Sequence, residues 1–229
     1  MSPQRDHYAV IASALASHPP VTGRQSSYAA LGDSFTAGTG CDPGVSWADR
    51  LAAGLRSRNS RLLYRNFAVD GATSADVLRQ VGPALQLEPD LVSVVCGGND
   101  VLRTRRPDVE GYAERLDRIF SRFEELPGVT LATATSPTRW SFLGLGPRTA
   151  RRVEAAIADV NEATREIARA HDVLCLEVAG HPGLEDPENF SEDGLHPSAL
   201  GHARTARAFA SLLEQRLGGM PDVGDEVTR

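Results

Sequence analysis

A short apolar run ends in a Gly-Asp-Ser turn in the stretch Tyr28-Ala29-Ala30-Leu31-Gly32-Asp33-Ser34-Phe35-Thr36-Ala37-Gly38. A run of this length that closes on glycine and aspartate is typical of a buried parallel strand. Gly32 permits a sharp turn directly before the hydroxyl side chain of Ser34. The stretch therefore predicts a strand that presents Ser34 at one edge of a sheet, and it makes Ser34 the candidate nucleophile.

The chain on the carboxyl side of this stretch repeats the same pattern of a strand followed by a helix. Further strands are predicted at residues 62–68, 91–96, 129–135 and 173–178, and helices at residues 47–58, 74–85, 109–126, 147–171 and 198–217. Parallel strands joined by helices need right-handed crossovers, and these cover both faces of the sheet. The predicted fold class is α/β, a three-layer α/β/α domain with a five-stranded parallel sheet, in one domain at residues 26–217.

Residues with catalytic chemistry follow four of the five predicted strands. The first strand delivers Ser34, the second leads to Gly71, the third to Asn99, and the fifth, through a long loop, to Asp193 and His196. Because the carboxyl ends of parallel strands share one edge of the sheet, we expect these residues to converge. A serine hydroxyl needs a base such as histidine, oriented by a third group, to act as a nucleophile at neutral pH. His196 is the candidate base and Asp193 the candidate orienting acid.

The composition excludes several other kinds of chemistry. The formal net charge of −6 argues against a nucleic-acid partner, since such proteins carry a basic surplus. The sequence contains no lysine, which removes P-loop phosphate binding and Schiff-base catalysis. Its cysteines, Cys41, Cys96 and Cys175, lack metal or disulfide spacing, and they are predicted to be free thiols.

Both ends of the chain are expected to lie outside the domain. Residues 1–25 form an N-terminal extension in which Tyr8, Ile11, Ala14 and Leu15 share a helical face, so a short docked helix is the interpretation of this part. Residues 218–229 are polar and glycine-rich, and we expect a disordered tail. No apolar run approaches the length of a membrane span, and the segment after Arg5 makes a poor secretion signal. The predicted location is cytoplasmic, with secretion as the alternative.

The chain resembles the SGNH hydrolases, the esterase and lipase superfamily also called GDSL. Four blocks carry the resemblance in the right order: Gly32-Asp33-Ser34, Asn66-x-Ala68-x-x-Gly71, Gly97-x-Asn99-Asp100 and Asp193-x-x-His196-Pro197. The resemblance implies a flavodoxin-like fold, a Ser-His-Asp triad of Ser34, His196 and Asp193, and an oxyanion hole from Ser34, Gly71 and Asn99. It implies no cofactor and no metal. Asp70, beside the presumed oxyanion glycine, departs from the family pattern, and we expect it to face solvent or to cap the next helix.

These observations predict a serine esterase that hydrolyses a carboxylic ester of a small or medium-sized substrate through an acyl-serine intermediate. A transacylase with the same triad, passing the acyl group to a metabolite, is the first alternative. A binding module that holds a small anion in the glycine-rich loops is the second. The expected partner is a small-molecule ester, without nucleic acid or integral membrane contact.

Candidate substrate-binding residues lie next to the predicted site. The segment 138–146, which contains Trp140 and Phe142, is unusually apolar for a loop and is predicted to line an acyl pocket or to act as a lid. Arg103 follows Asn99 closely and is a candidate for holding an anionic substrate group. Asp33, directly before Ser34, is also a candidate substrate-binding residue.

Overall fold

The computed structural model describes residues 25–57, 59–138, 140 and 144–217. The strands are β1 (Ser27–Gly32), β2 (Leu63–Asn66), β3 (Leu91–Val95), β4 (Thr130–Ala134) and β5 (Leu174–Leu176). The helices of the described residues are α1 (Ser34–Ala37), α2 (Trp47–Arg56), α3 (Ser74–Leu85), α4 (Gly98–Leu102), α5 (Val109–Glu124), α6 (Pro147–Ala170) and α7 (Ala199–Leu217). Two 3₁₀ helices, Pro182–Glu185 and Pro187–Asn189, lie between β5 and α7.

The five strands form one parallel sheet in the order β2-β1-β3-β4-β5. The chain moves from β1 outward to β2 and then returns to place β3 on the other side of β1. This reversal makes the crevice between the carboxyl ends of β1 and β3 the topological switch point, where open α/β sheets bind ligands. Ser34 follows β1 directly and therefore lies beside that crevice.

Side chains of β1 alternate between two apolar cores, which accounts for the three layers. Ala29 and Leu31 enter the core formed with α3, α5 and α6, whereas Tyr28 and Ala30 enter the core formed with α2 and α7. All six residues of the strand are buried, as expected for a central parallel strand with helices on both faces. The three-layer α/β/α fold is therefore confirmed.

The predicted elements are present, and their bounds agree with the predicted ones to within two residues. The short helices α1 and α4 were not predicted, because each begins inside a glycine-rich segment that reads as a loop. Among the described residues, no helix is both long and apolar enough to cross a bilayer. The predicted tail at 218–229, and all of the predicted extension except Gln25, lie outside the described residues.

Candidate active site

The turn that carries Ser34 requires glycine at position 32. Gly32 has a φ of +152°, and a Cβ atom there would lie 2.4 Å from the carbonyl oxygen of Val95 on the neighbouring strand. Asp33 then caps α1, its side chain accepting a hydrogen bond from the Phe35 amide at 3.1 Å. Ser34 is the first residue of α1, so its own N–H has no acceptor within the helix and can donate to a ligand. Ser34 is a buried residue, with 5% of its surface exposed.

The side chain of Gln80 on α3 forms two hydrogen bonds with the backbone of this turn. Its Nε2 donates to the Gly32 carbonyl and its Oε1 accepts from the Gly32 amide, both at 2.9 Å. Gln80 is a buried polar residue, so the two bonds form away from bulk water. A single side chain thus fixes both backbone groups of the residue that sets the direction of the nucleophile turn.

Asp193 and His196 form a direct pair. Asp193 Oδ2 lies 2.6 Å from His196 Nδ1, while Oδ1 accepts from Ser191 Oγ and from the amides of Leu195 and His196 at 2.7–2.9 Å. Partial burial alone would raise the pKa of Asp193, but these hydrogen bonds outweigh it and hold that pKa far below its usual range. The carboxylate is therefore ionised at neutral pH and accepts the Nδ1 proton, which leaves Nε2 as the basic nitrogen of His196.

The loop of Asp193 and His196 packs against the segment that follows the nucleophile. The His196 and Phe35 rings contact each other with centroids 5.8 Å apart, and Cys41 Sγ donates to the Pro197 carbonyl at 3.4 Å. The triad residues predicted from sequence are thus brought to one edge of the sheet from opposite ends of the domain.

His202, the nearest competing histidine in the chain, has a different role. It is fully buried, and its Nδ1 accepts the amide of Trp47 at 3.1 Å, at the first turn of α2. Burial is the main cause that lowers the pKa of His202 to about 4, with the Arg50 charge acting in the same direction. A neutral imidazole that is committed to a helix end serves the fold, not proton transfer.

The two further donors predicted for an oxyanion hole lie on a loop and on a short helix that both contact the turn carrying Ser34. Gly71 adopts a φ of +70° after β2, and Asn99 is the second residue of α4. Asn99 Nδ2 donates to the Ala72 carbonyl at 3.1 Å and lies 3.5 Å from Asp33 Oδ2. These contacts link the glycine loop, the asparagine helix and the nucleophile turn, so the three predicted donors share one framework.

A second polar network stabilises this framework from the α3 side. Asp100 accepts from the Ser74 amide at 2.8 Å and from Ser74 Oγ at 2.5 Å, and Arg115 Nε donates to the same hydroxyl at 2.7 Å. Asp100 therefore links α4 to the start of α3. A guanidinium nitrogen of Arg115 lies 3.6 Å from Asp100 Oδ1 and offsets the negative charge of this carboxylate.

Asp33 is a buried carboxylate next to the nucleophile. Burial raises the pKa of Asp33 to about 7, and the nearby charges of Asp100 and Asp70 act in the same direction, against the hydrogen bond from Phe35. Its contacts are made with Phe35 and Asn99, which makes it a group that orients the site. Its predicted contact with substrate stays a prediction.

Arg103 contacts the loop of the predicted oxyanion glycine, and its predicted contact with an anionic substrate group stays a prediction. One of its guanidinium nitrogens donates to the Gly71 carbonyl at 2.7 Å, so the side chain holds the loop of the predicted oxyanion glycine. Asp70 is exposed and accepts from Thr39 Oγ1 at 3.3 Å, as expected for a side chain at the solvent face. The next helix is capped instead by Thr73, which pairs with Asp76.

An apolar cavity of about 370 Å³ lies at the switch point beside the nucleophile. On the side of Ser34 the cavity is bordered by Asp33, Phe35 and Gly98. Trp140, a buried residue with 1% of its surface exposed, also lines the cavity. Phe142, the other aromatic residue predicted for this pocket, lies outside the described residues. In the described part of the chain, no group of three or more histidine, cysteine or acidic side chains is arranged to hold a metal ion.

Sequence reasoning missed the residues that position the site from a distance, namely Gln80, Ser74, Arg115 and the Asn161 amide. Asn161 exchanges two hydrogen bonds with the backbone of Ser136, at 2.7 and 2.9 Å, at the end of β4. Each of these is a polar residue within a helix, and only its place on the apolar, inward face of that helix distinguishes it from a surface residue.

Comparisons with known proteins identify the family and the fold of the chain. Residues 30–204 match the model of the GDSL-like Lipase/Acylhydrolase family, so the chain belongs to that family and is a carboxylic ester hydrolase. A lipase of Streptomyces rimosus is 23% identical to it, over 84% of this chain and 88% of the relative. Family membership sets aside the binding-module alternative.

Solved structures share the fold. The lipase/acylhydrolase from Enterococcus faecalis superposes with a TM-score of 0.68 at 22% identity, covering 86% of this chain and all of the other (100%). An acetylxylan esterase from Geobacillus stearothermophilus superposes with a TM-score of 0.64 at 20% identity, covering 82% of this chain and 94% of the other. At such identities the likeness concerns the three-layer architecture.

Proposed function

We propose that the protein hydrolyses a carboxylic ester through an acyl-enzyme on Ser34, with His196 as general base and Asp193 as its orienting partner. The observation that carries the proposal is the contact of 2.6 Å between Asp193 Oδ2 and His196 Nδ1, in a loop packed on Phe35, the residue after the nucleophile. An ionised Asp193 fixes the tautomer in which His196 Nε2 can accept the serine proton.

In the first step, Ser34 Oγ attacks the carbonyl carbon while His196 takes the hydroxyl proton. The charge that develops on the carbonyl oxygen is met by the Ser34 and Gly71 N–H groups and by Asn99 Nδ2. Each donor placed for such a charge contributes about 3–4 kcal/mol to the stabilisation of the transition state. The bond to the alcohol then breaks, and the alcohol leaves with the proton that His196 returns.

In the second step, water replaces the alcohol. His196 takes a proton from the water as it attacks the acyl-enzyme, and the same donors stabilise the second oxyanion. The bond from the acyl group to Ser34 breaks, and His196 returns the proton to the serine. The products are a carboxylic acid and the free enzyme, and the two steps account for every atom and proton with the ester and water alone.

The test is hydrolysis of p-nitrophenyl esters by the wild type and by Ser34→Ala, together with intact mass after treatment with a serine-directed phosphonate. We expect turnover and a single phosphonyl adduct in the wild type, and in Ser34→Ala a loss of both, with kcat reduced at least about 10³-fold. A folded Ser34→Ala variant that retains the wild-type rate contradicts the proposal. Product analysis with added alcohols separates hydrolysis from the transacylase alternative, because transfer would yield a new ester.

A further inference from the structure

Two pockets adjoin different parts of the predicted site, one at the nucleophile turn and one at Gly71, and they differ in chemistry. The apolar cavity of about 370 Å³ opens on the β3 side, where Asp33 and Phe35 border it and Trp47, Trp140 and Phe209 contribute aromatic walls. Asp33 and Phe35 are the chain neighbours of Ser34, so the cavity adjoins the turn that carries the nucleophile.

The pocket on the β2 side is an open, charged groove. It is lined by Gly71 together with the charged side chains of Asp70, Asp76, Arg79 and Arg103. The strand order places β2 and β3 on either side of β1, so the groove and the cavity are separated by the strand that carries Ser34. A bound ester extends in two directions from its carbonyl carbon, and the predicted site adjoins one apolar space at Asp33 and Phe35 and one charged space at Gly71.

We infer that the cavity binds the acyl chain of the ester, an unbranched aliphatic chain of medium length, and that the charged groove receives a polar alcohol. The inference rests on the proposed function, since it assigns the two arms of the ester that Ser34 attacks. A cavity of about 150 Å³ lined by apolar side chains accommodates benzene, so the volume here admits roughly 15 carbon atoms at complete filling. With the looser packing of a flexible chain, the best substrates have acyl groups of about 6–12 carbons.

The order of the reaction decides which arm enters the cavity. The acyl group stays attached to Ser34 through both chemical steps, whereas the alcohol must leave and water must arrive between them. An open groove suits the departing alcohol and the incoming water. A cavity with aromatic walls suits the arm that is retained, and each methylene group that it buries raises kcat/KM by roughly fourfold.

Ala208 of α7 provides a probe of this cavity. It lines the cavity with a partly exposed side chain, one residue before the aromatic wall at Phe209. In Ala208→Phe, the added ring takes up a benzene-sized share of the volume and shortens the preferred acyl chain by about 4–6 carbons. Ala158→Phe, the same substitution at an exposed position of α6 outside the lining of the cavity, is the matched control.

The experiment measures kcat/KM with two ester series for the wild type, Ala208→Phe and Ala158→Phe. One series varies the acyl chain from 2 to about 14 carbons with p-nitrophenol as the alcohol, and the other varies the alkyl alcohol with the acyl group held as acetyl. We expect the wild type to prefer medium acyl chains, Ala208→Phe to prefer shorter ones, and Ala158→Phe to match the wild type. The alcohol series is expected to keep its profile in all three proteins.

The other outcomes separate the inference from the proposed function. If Ala208→Phe changes the alcohol profile instead, the cavity binds the alcohol and the inference is wrong. If the wild type turns over esters but prefers acetyl, or if a folded Ala208→Phe keeps the wild-type acyl profile, the inference alone fails. Ala208→Leu, a smaller change, replaces Ala208→Phe if circular dichroism shows that the larger ring prevents folding. If no ester is turned over and no phosphonate labels Ser34, the proposed function fails and takes the inference with it.

Discussion

The clearest quantitative test of the framework behind Ser34 is Gln80→Met, which removes the two hydrogen bonds to Gly32 while keeping an unbranched side chain of similar length. The Gly32 amide loses the Oε1 acceptor at 2.9 Å in a buried setting, which costs about 1–3 kcal/mol. The Gly32 carbonyl loses the Nε2 donor but still accepts from the Val69 amide at 3.1 Å, so this second loss is about 0.5–1.5 kcal/mol. We expect the free energy of unfolding to fall by about 3 kcal/mol in total.

For a domain of this size, that loss corresponds to a decrease in Tm of about 6–12 °C. Urea unfolding followed by circular dichroism gives the free energy, and a thermal melt gives Tm. Gln86→Met, at an exposed glutamine directly after α3, is the matched control and should change the free energy by less than about 0.5 kcal/mol. A loss in Gln80→Met of under 1 kcal/mol, or one equal to that of the control, would refute the reasoning that a buried side chain holds the nucleophile turn.

Two further predictions concern groups next to Ser34. Because burial raises the pKa of Asp33 to about 7, Asp33 stays neutral in the folded protein while its carboxyl in the unfolded chain ionises near pH 4, so the wild type should lose up to about 4 kcal/mol of stability as the pH rises from 4 to 7. Asp33→Asn should flatten that dependence in urea unfolding series at several pH values, and equal slopes in both proteins would contradict it. Arg103→Met should lower kcat by about 10- to 100-fold with little change in KM, because the Gly71 loop loses its anchor, while Arg105→Met stays at the wild-type level and Arg103→Lys recovers part of the rate. A rise in KM at constant kcat would instead support the predicted role of Arg103 in binding an anionic substrate.

The sequence was sufficient to predict the architecture because the relevant signals are local. Apolar strands alternate with amphipathic helices, and glycine or asparagine follows the strands at the positions where loops must turn. Once the strands are parallel, their carboxyl ends must share one edge, which is why the sequence alone predicts that Ser34, Asn99 and His196 lie at the same edge.

What could not be predicted depends on pairings between distant segments. Gln80 lies 48 residues from Gly32, and nothing in its local sequence distinguishes it from a solvent-facing glutamine on a helix. The cavity could not be predicted either, because its walls come from distant parts of the chain. Trp47 and Phe209 have the helical spacing of ordinary core residues, and only in the folded chain do their rings stack, with centroids 4.3 Å apart. The bond from Arg103 to the Gly71 carbonyl could not be predicted either, because it joins two loops that are 32 residues apart in the chain.

The contacts around Ser34 divide the molecule into a part that determines rate and a part that determines selectivity. Gln80 fixes Gly32, Asp33 contacts both α1 and Asn99, and Arg103 fixes Gly71, so all three act on the positions of the nucleophile and the oxyanion donors. These groups serve both the formation and the breakdown of the acyl-enzyme, and changes in them should therefore slow every ester by a similar factor. Ala208 lies on α7 and lines the cavity, so its replacement should change the order of preference among acyl chains without a common loss of rate. The ratio of kcat/KM values between two acyl chains, compared across Arg103→Met and Ala208→Phe, thus separates the two parts in one measurement, because only the second variant should alter that ratio.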